Sequence, residues 1–130
     1  MTASEYFENT EGTGILATAD ACGEVNVAVY ARPHFLEERT VAFIMADRLS
    51  HRNLQSNPHA AYLFIEHGEG YKGKRLHLTK IAEETDPQKI QAMRRRSLLV
   101  ECDFEIESKY LVHFQIDRVR PLVGDESEGP

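Results

Sequence analysis

Tryptophan is absent from this 130-residue chain, and cysteine is nearly so, with only Cys22 and Cys102. These two are far apart and form no C-x-x-C pair, so neither a redox motif nor a structural zinc set is indicated; two free thiols are expected. No apolar run approaches the roughly 20 residues that span a bilayer. Residues 1–5 lack the basic and apolar segments of a secretion signal, so a cytoplasmic protein is expected. Basic charge is scarce: 15 Lys and Arg stand against 21 Asp and Glu, giving a net charge of −6. That balance argues against nonspecific binding to nucleic acid or an anionic membrane, both of which need basic surface. There is no G-x-S-x-G, no P-loop and no paired-carboxylate motif, so no catalytic residue is named. The six histidines show neither H-E-x-x-H nor H-x-H spacing, and no metal site is expected.

What is present is the composition of a globular protein, 42% hydrophobic and 28% charged. One domain over residues 1–123 is expected, burying about two thirds of its unfolded surface. The run 124–130 has no apolar residue and is expected to be a disordered acidic tail. A short amphipathic helix over Ser4–Asn9 precedes a glycine break. Strands are then expected over Gly14–Ala19 and Glu24–Arg32, joined by the turn Asp20–Gly23 and stopped by Pro33. Thr40–Ala46 is apolar on both alternating faces and reads as a central strand. Ala60–Ile65 follows, then a glycine-rich loop over Glu66–Gly73. Lys74–Glu84 alternates, with Leu76 and Leu78 opposite Arg75, His77 and Thr79. Asp86 and Pro87 start a helix whose stripe is Ile90 and Met93, with Arg94, Arg95 and Arg96 near its end as dipole-matched surface. Tyr110–Val119 is the last strand. Six strands with short helices predict a mainly β protein, a small antiparallel barrel.

The densest chemistry lies between Thr40 and Pro58. A strand delivers a helix start with Ser50 as the expected N-cap and Asn57-Pro58 as the stop. A helix N-terminus offers free N–H groups and a positive dipole end, and here a hydroxyl, an imidazole and a guanidinium share the first turn. On this segment alone two readings stay open, a phosphate site and an ordinary capped surface helix.

Taken together, the hairpin Ala17–Pro33, the strand ending Phe43-Ile44-Met45-Ala46, and Ser50-His51-Arg52 ahead of Asn57-Pro58 resemble the pyridoxamine 5′-phosphate oxidase-like flavoproteins. The resemblance is good over about residues 14–65 and looser to Val119. It implies a six-stranded antiparallel split β-barrel that forms a homodimer and binds FMN in clefts at the dimer interface. Carried over by motif, the flavin-lining strand falls on Ala28, Val29, Tyr30, Ala31 and Arg32. Backbone groups of Ile44 and Met45 would pass along the pyrimidine edge of the ring. The phosphate cluster falls on Ser50, His51 and Arg52, with arginine where the family has lysine. The partner subunit's contribution maps to the strand at Lys74. Arg32 or Lys74 is the cation expected near the ring's N1 and C2 carbonyl. The basic C-terminal region that completes a pyridoxamine phosphate oxidase has no counterpart here, so vitamin B6 oxidation is not expected.

A flavin brings its own reactivity, which fits the missing triad. The leading expectation is an FMN-dependent oxidoreductase of unassigned substrate. The alternatives are a non-catalytic flavin carrier or electron-transfer protein, a barrel using FAD or a deazaflavin, a haem-binding or haem-degrading relative using His67 or His113, and a barrel acting through a partner surface alone.

Overall fold

The computed structural model describes residues 2–96 and 110–125. Its strands are β1 (Gly12–Ala19), β2 (Val25–Tyr30), β3 (His34–Glu37), β4 (Thr40–Met45), β5 (His59–Glu66), β6 (Gly73–Glu84) and β7 (Tyr110–Pro121). They form one sheet in the order β2-β1-β5-β6-β7-β4-β3, with every pairing antiparallel. Three helices decorate it: α1 (Ala3–Asn9), α2 (Leu49–Ser56) and α3 (Pro87–Arg96). Cys102 and residues 126–130 lie outside the described residues, as do the side chains of Arg94, Arg95 and Arg96.

The strand count is seven, not six. β3 is the addition, a four-residue edge strand that pairs only with β4, in the register His34↔Ala42 and Phe35↔Val41. Pro33 reads in sequence as the end of a strand, whereas here it only separates β2 from β3. The turn after β3 is pinned from a distance: Arg39 donates from Nε and Nη2 to the Ile116 carbonyl at 3.2 and 2.9 Å. No local pattern carries that contact.

The β1–β2 hairpin forms as its residues require. Gly23 takes φ +85°, a conformation costly for residues with a Cβ. The Asp20 carboxylate accepts from the backbone N–H groups of Cys22 and Glu24, each at 2.9 Å. At the other helix starts, Thr2 and Glu5 form a capping box for α1, and Asp86 accepts from Gln88 N–H ahead of α3.

The concave side of the curled sheet is the main core. Tyr62, Phe43, Phe64 and Phe114 are its largest fully buried side chains, together with Leu16, Leu76, Leu78 and Val112. Burying each such side chain contributes about 1.5–3 kcal/mol. Phe7 of α1 and Leu54 of α2 join this cluster. A second, smaller core explains why β4 is apolar on both faces: Ala42 and Leu111 point away from the main core and pack with Ile90 of α3, beside Leu36, Ile44 and Met93.

Candidate functional site

Two open strand edges define the site. β2 is the end strand of the sheet, laddered only to β1. The β3–β4 ladder stops at Ala42, so beyond it Phe43, Ile44 and Met45 pair only with β7. The sheet therefore curls without closing, and its split lies between β2 and the end of β4. The Tyr30 ring bridges it, meeting Phe43 edge-on at 5.9 Å and 87°. Backbone polar groups on such edges need partners, which makes them natural sites for a planar hydrogen-bonding ligand.

The first turn of α2 faces this split. Arg48, not Ser50, occupies the N-cap position, and its side chain makes no capping hydrogen bond. Ser50 sits one position inside the helix and is buried, 4% exposed. Its Oγ accepts from Asn26 Nδ2 of β2 at 3.4 Å and is hydrogen-bonded with the Tyr30 phenol. Burial pushes that phenol's pKa up, against the opposing pull of Ser50 and the Arg48 charge, so Tyr30 stays protonated. One turn on, Asn53 Nδ2 donates to Thr18 Oγ1 of β1 at 3.0 Å, again buried. α2 is thus docked on the hairpin through a polar seam, Thr18, Asn26, Tyr30, Ser50 and Asn53. Sequence reasoning missed Arg48, Asn26, Thr18 and Asn53. A signal existed in Thr18 and Asn26, polar residues set among the apolar residues of two strands.

His51 is turned inward. It is 5% exposed, and its ring stacks on Tyr110 of β7 with centroids 4.0 Å apart and planes at 21°. Its Nδ1 lies 3.1 Å from Asp47 Oδ1, and its Nε2 lies 3.3 Å from Glu83 Oε2 of β6. Desolvation raises the Glu83 carboxyl, but hydrogen bonds from Lys80, Gln55 and His51 and the Lys80 charge outweigh it and hold the pKa at about 2. His51 is therefore an internal tie between α2, β6 and β7. Arg52 remains outside, two-thirds exposed, with Nη2 donating to the Asp47 carbonyl at 3.2 Å.

The other residues marked in the sequence take up different environments. Arg32 Nη1 donates to the carbonyls of Phe7 and Thr10 at 3.0 and 2.9 Å, holding the end of α1. Lys74 Nζ lies 4.9 Å above the Tyr6 ring, also at α1. Ala28 and Tyr30 share the half-buried face of β2, whereas Val29 points out and Ala31 lies exposed beyond the strand. Met45 is buried in the main core and Ile44 packs under α3, which leaves their backbone for any ligand. Of the histidines marked for haem, His67 is exposed near Thr13. His113 Nε2 lies 2.7 Å from Glu84 Oε2, within ion-pair reach though off hydrogen-bond angle.

Beside the split, the outward side of β2 is bare. Val25, Val27 and Val29 are 78%, 66% and 77% exposed. By register they adjoin Ala19, Ala17 and Ile15 of β1, and then Ala61 and Leu63 of β5. Together they make a contiguous apolar face on an edge of the sheet.

No family model and no curated protein matches this sequence. Solved structures do match it. An FMN-binding protein from Syntrophomonas wolfei subsp. wolfei is 17% identical, with 96% of this chain and 86% of that chain covered and a TM-score of 0.77. A protein provisionally named a pyridoxamine 5′-phosphate oxidase, from Lactobacillus delbrueckii, is 17% identical over 92% and 93% at 0.64. HutZ, the haem storage protein from Vibrio cholerae, is 19% identical over 90% and 89% at 0.62. The chain has the split-barrel fold of these proteins, mainly β with one seven-stranded antiparallel sheet and short helices. The resemblance read from the sequence is met at the level of fold.

Proposed function

We propose that this chain is an FMN-binding oxidoreductase of unassigned substrate that works as a homodimer, taking the flavin at the split between β2 and the end of β4. One observation carries the reading. The exposed row Val25, Val27 and Val29 borders the same split onto which the α2 first turn and its flanking Arg48 and Arg52 open. Either feature alone is common. Together they offer a phosphate end and an apolar wall with no second side. A second copy of the chain supplies that side, since one 130-residue barrel that keeps a full core has little room to enclose a tricyclic ring.

The donor set suits FMN. N–H groups of the α2 first turn and the two guanidiniums address the phosphate. The backbone of Ala28–Tyr30 and Ile44–Met45 addresses the ring edge. When bound, the flavin supplies hydride and one-electron chemistry. The chain's part is to bind and orient it, and the polar seam under α2 keeps the first turn in place. The protein named FMN-binding among the similar folds supports a flavin reading. Among the described residues no helix is long and apolar enough to cross a membrane.

The test is the absorption spectrum of the purified protein, with identification of whatever chromophore denaturation releases and sizing of the assembly. Two flavin bands, FMN in the released fraction and a dimer are expected. A Soret band would replace the reading with haem. A colourless protein whose melting temperature FMN leaves unmoved would overturn it, because a ligand selective for the native state must stabilise that state. Turnover with NAD(P)H and an acceptor separates an enzyme from a flavin carrier.

A further inference from the structure

His51 is held between two carboxylates. Its Nδ1 lies 3.1 Å from Asp47 Oδ1 and its Nε2 lies 3.3 Å from Glu83 Oε2, although the residue is only 5% exposed. A neutral imidazole carries one N–H and one lone pair. Whichever nitrogen holds the proton, one of the two carboxylates faces a lone pair. Gln55 completes the group: its Nε2 lies 3.2 Å from His51 Nε2, 3.1 Å from the His51 carbonyl and 3.1 Å from Glu83 Oε1. An imidazolium removes the mismatch. Its two N–H groups meet Asp47 and Glu83, and the two protons of the Gln55 amide meet the His51 carbonyl and Glu83 Oε1, so every donor has an acceptor.

The surroundings make that proton count elsewhere. From β6, Lys80 Nζ lies 2.8 Å from Glu83 Oε1, and from β7 the Tyr110 ring stacks on the imidazole. From α2 itself, Arg52 Nε lies 3.9 Å from the same Asp47 oxygen that His51 reaches. Arg48 follows Asp47 at the N-cap. Glu83, held at a pKa of about 2 by its hydrogen bonds, stays ionised near neutral pH. With the proton in place, His51 and Lys80 balance Asp47 and Glu83. Without it, one negative charge is left over at the entrance to α2. Asp47 Oδ1 is therefore the link between a buried imidazole and the exposed guanidinium that addresses the phosphate.

We propose that His51 is a positioning residue whose proton sets the affinity of the α2 first turn for the flavin phosphate. The proposal rests on the flavin reading and adds its regulation: His51 touches no ligand and acts through Asp47 and Arg52. The imidazolium engages Asp47 and leaves the Arg52 fork to the phosphate oxygens. The neutral ring returns Asp47 to Arg52 and sets an unbalanced carboxylate beside the incoming anion. A phosphate-bearing flavin is held more tightly when His51 is protonated and is loosened as rising pH removes the proton.

FMN and riboflavin are titrated by fluorescence into the full chain between pH 5 and 8, the range in which histidines serve as switches, alongside His51→Gln and Asp47→Asn. A phosphomonoester itself ionises in this range, with a second pKa of about 6. Comparing parent with His51→Gln at each pH cancels that titration of the ligand. The parent is expected to bind FMN about tenfold more tightly than His51→Gln at pH 5 and equally at pH 8. The same ratio for riboflavin, which lacks the phosphate, is expected to stay flat. The Asp47 side chain is 58% exposed, so Asp47→Asn will fold, and it is expected to bind FMN more tightly than the parent at pH 8. Should His51→Gln not fold, that variant decides by itself. A purely structural tie would give an FMN ratio constant with pH, which would overturn the proposal and leave the flavin reading standing. A pH-dependent riboflavin ratio, or FMN binding by Asp47→Asn no tighter than the parent's at pH 8, would do the same. Failure of the parent to bind either flavin at any pH would overturn both.

Discussion

The Tyr62 hydroxyl donates to the Ala31 carbonyl at 3.0 Å, reaching from β5 beneath β1 to the residue just after β2. Gly14 makes this possible: a Cβ there would stand 1.9 Å from the hydroxyl and 2.6 Å from the Tyr30 carbonyl. Gly14→Ala is expected to destabilise the fold by about 3 kcal/mol, the upper range for overpacking a tight site. Tyr62→Phe, which removes only the hydroxyl, is expected to cost about 1 kcal/mol. Chemical denaturation checks both. Burial raises the Tyr62 phenol well above its ordinary value, so its ionisation is expected only with alkaline unfolding.

Arg32 and Arg52 are expected to part company on mutation. Arg32 holds two carbonyls at the end of α1, so Arg32→Gln should lower stability by about 1–3 kcal/mol and leave FMN affinity nearly unchanged. Arg52→Gln should leave stability within about 0.5 kcal/mol, as for an exposed pair, and weaken FMN about tenfold. Riboflavin, which lacks the phosphate, should bind both proteins alike. Thermal melts and flavin titrations distinguish the two sites.

Val27→Asp tests the assembly. Val27 is 66% exposed, so the change adds little strain to a single subunit. A charge placed on the apolar face should shift sedimentation from dimer to monomer and reduce flavin content in the same step. A variant that remains dimeric would move the interface elsewhere.

Glu83 sets an acid dependence. Its folded pKa, about 2, lies below the unfolded value of 4.5. The contribution is therefore fully present above about pH 4.5 and is lost as pH falls toward 2. Glu83→Gln should lower stability at pH 7 by about 1–3 kcal/mol, since Lys80, Gln55 and His51 all lose a charged acceptor. The gap between variant and parent should narrow between pH 4.5 and 2, measured by urea denaturation at each pH.

Much of the strand pattern was legible in the sequence because alternation is local: Leu76 and Leu78 faced the core, and Asp20 to Gly23 made the turn they encode. Asp86 and Pro87 likewise began α3. β3 was not legible, because its hold comes from Arg39 reaching the Ile116 carbonyl, distant in sequence. The site divided the same way. Sequence marked Ser50, His51 and Arg52 as one cluster, since adjacent residues at a helix start look equivalent in a linear reading. Helical rotation then sent them in different directions: Ser50 to Asn26, His51 between Asp47 and Glu83, and Arg52 to the surface. The sequence by itself determined the barrel class, through its periodicity and turn residues. The tertiary structure alone decided which polar side chains are internal ties and which remain available, because that depends on what each face of a helix or strand is packed against.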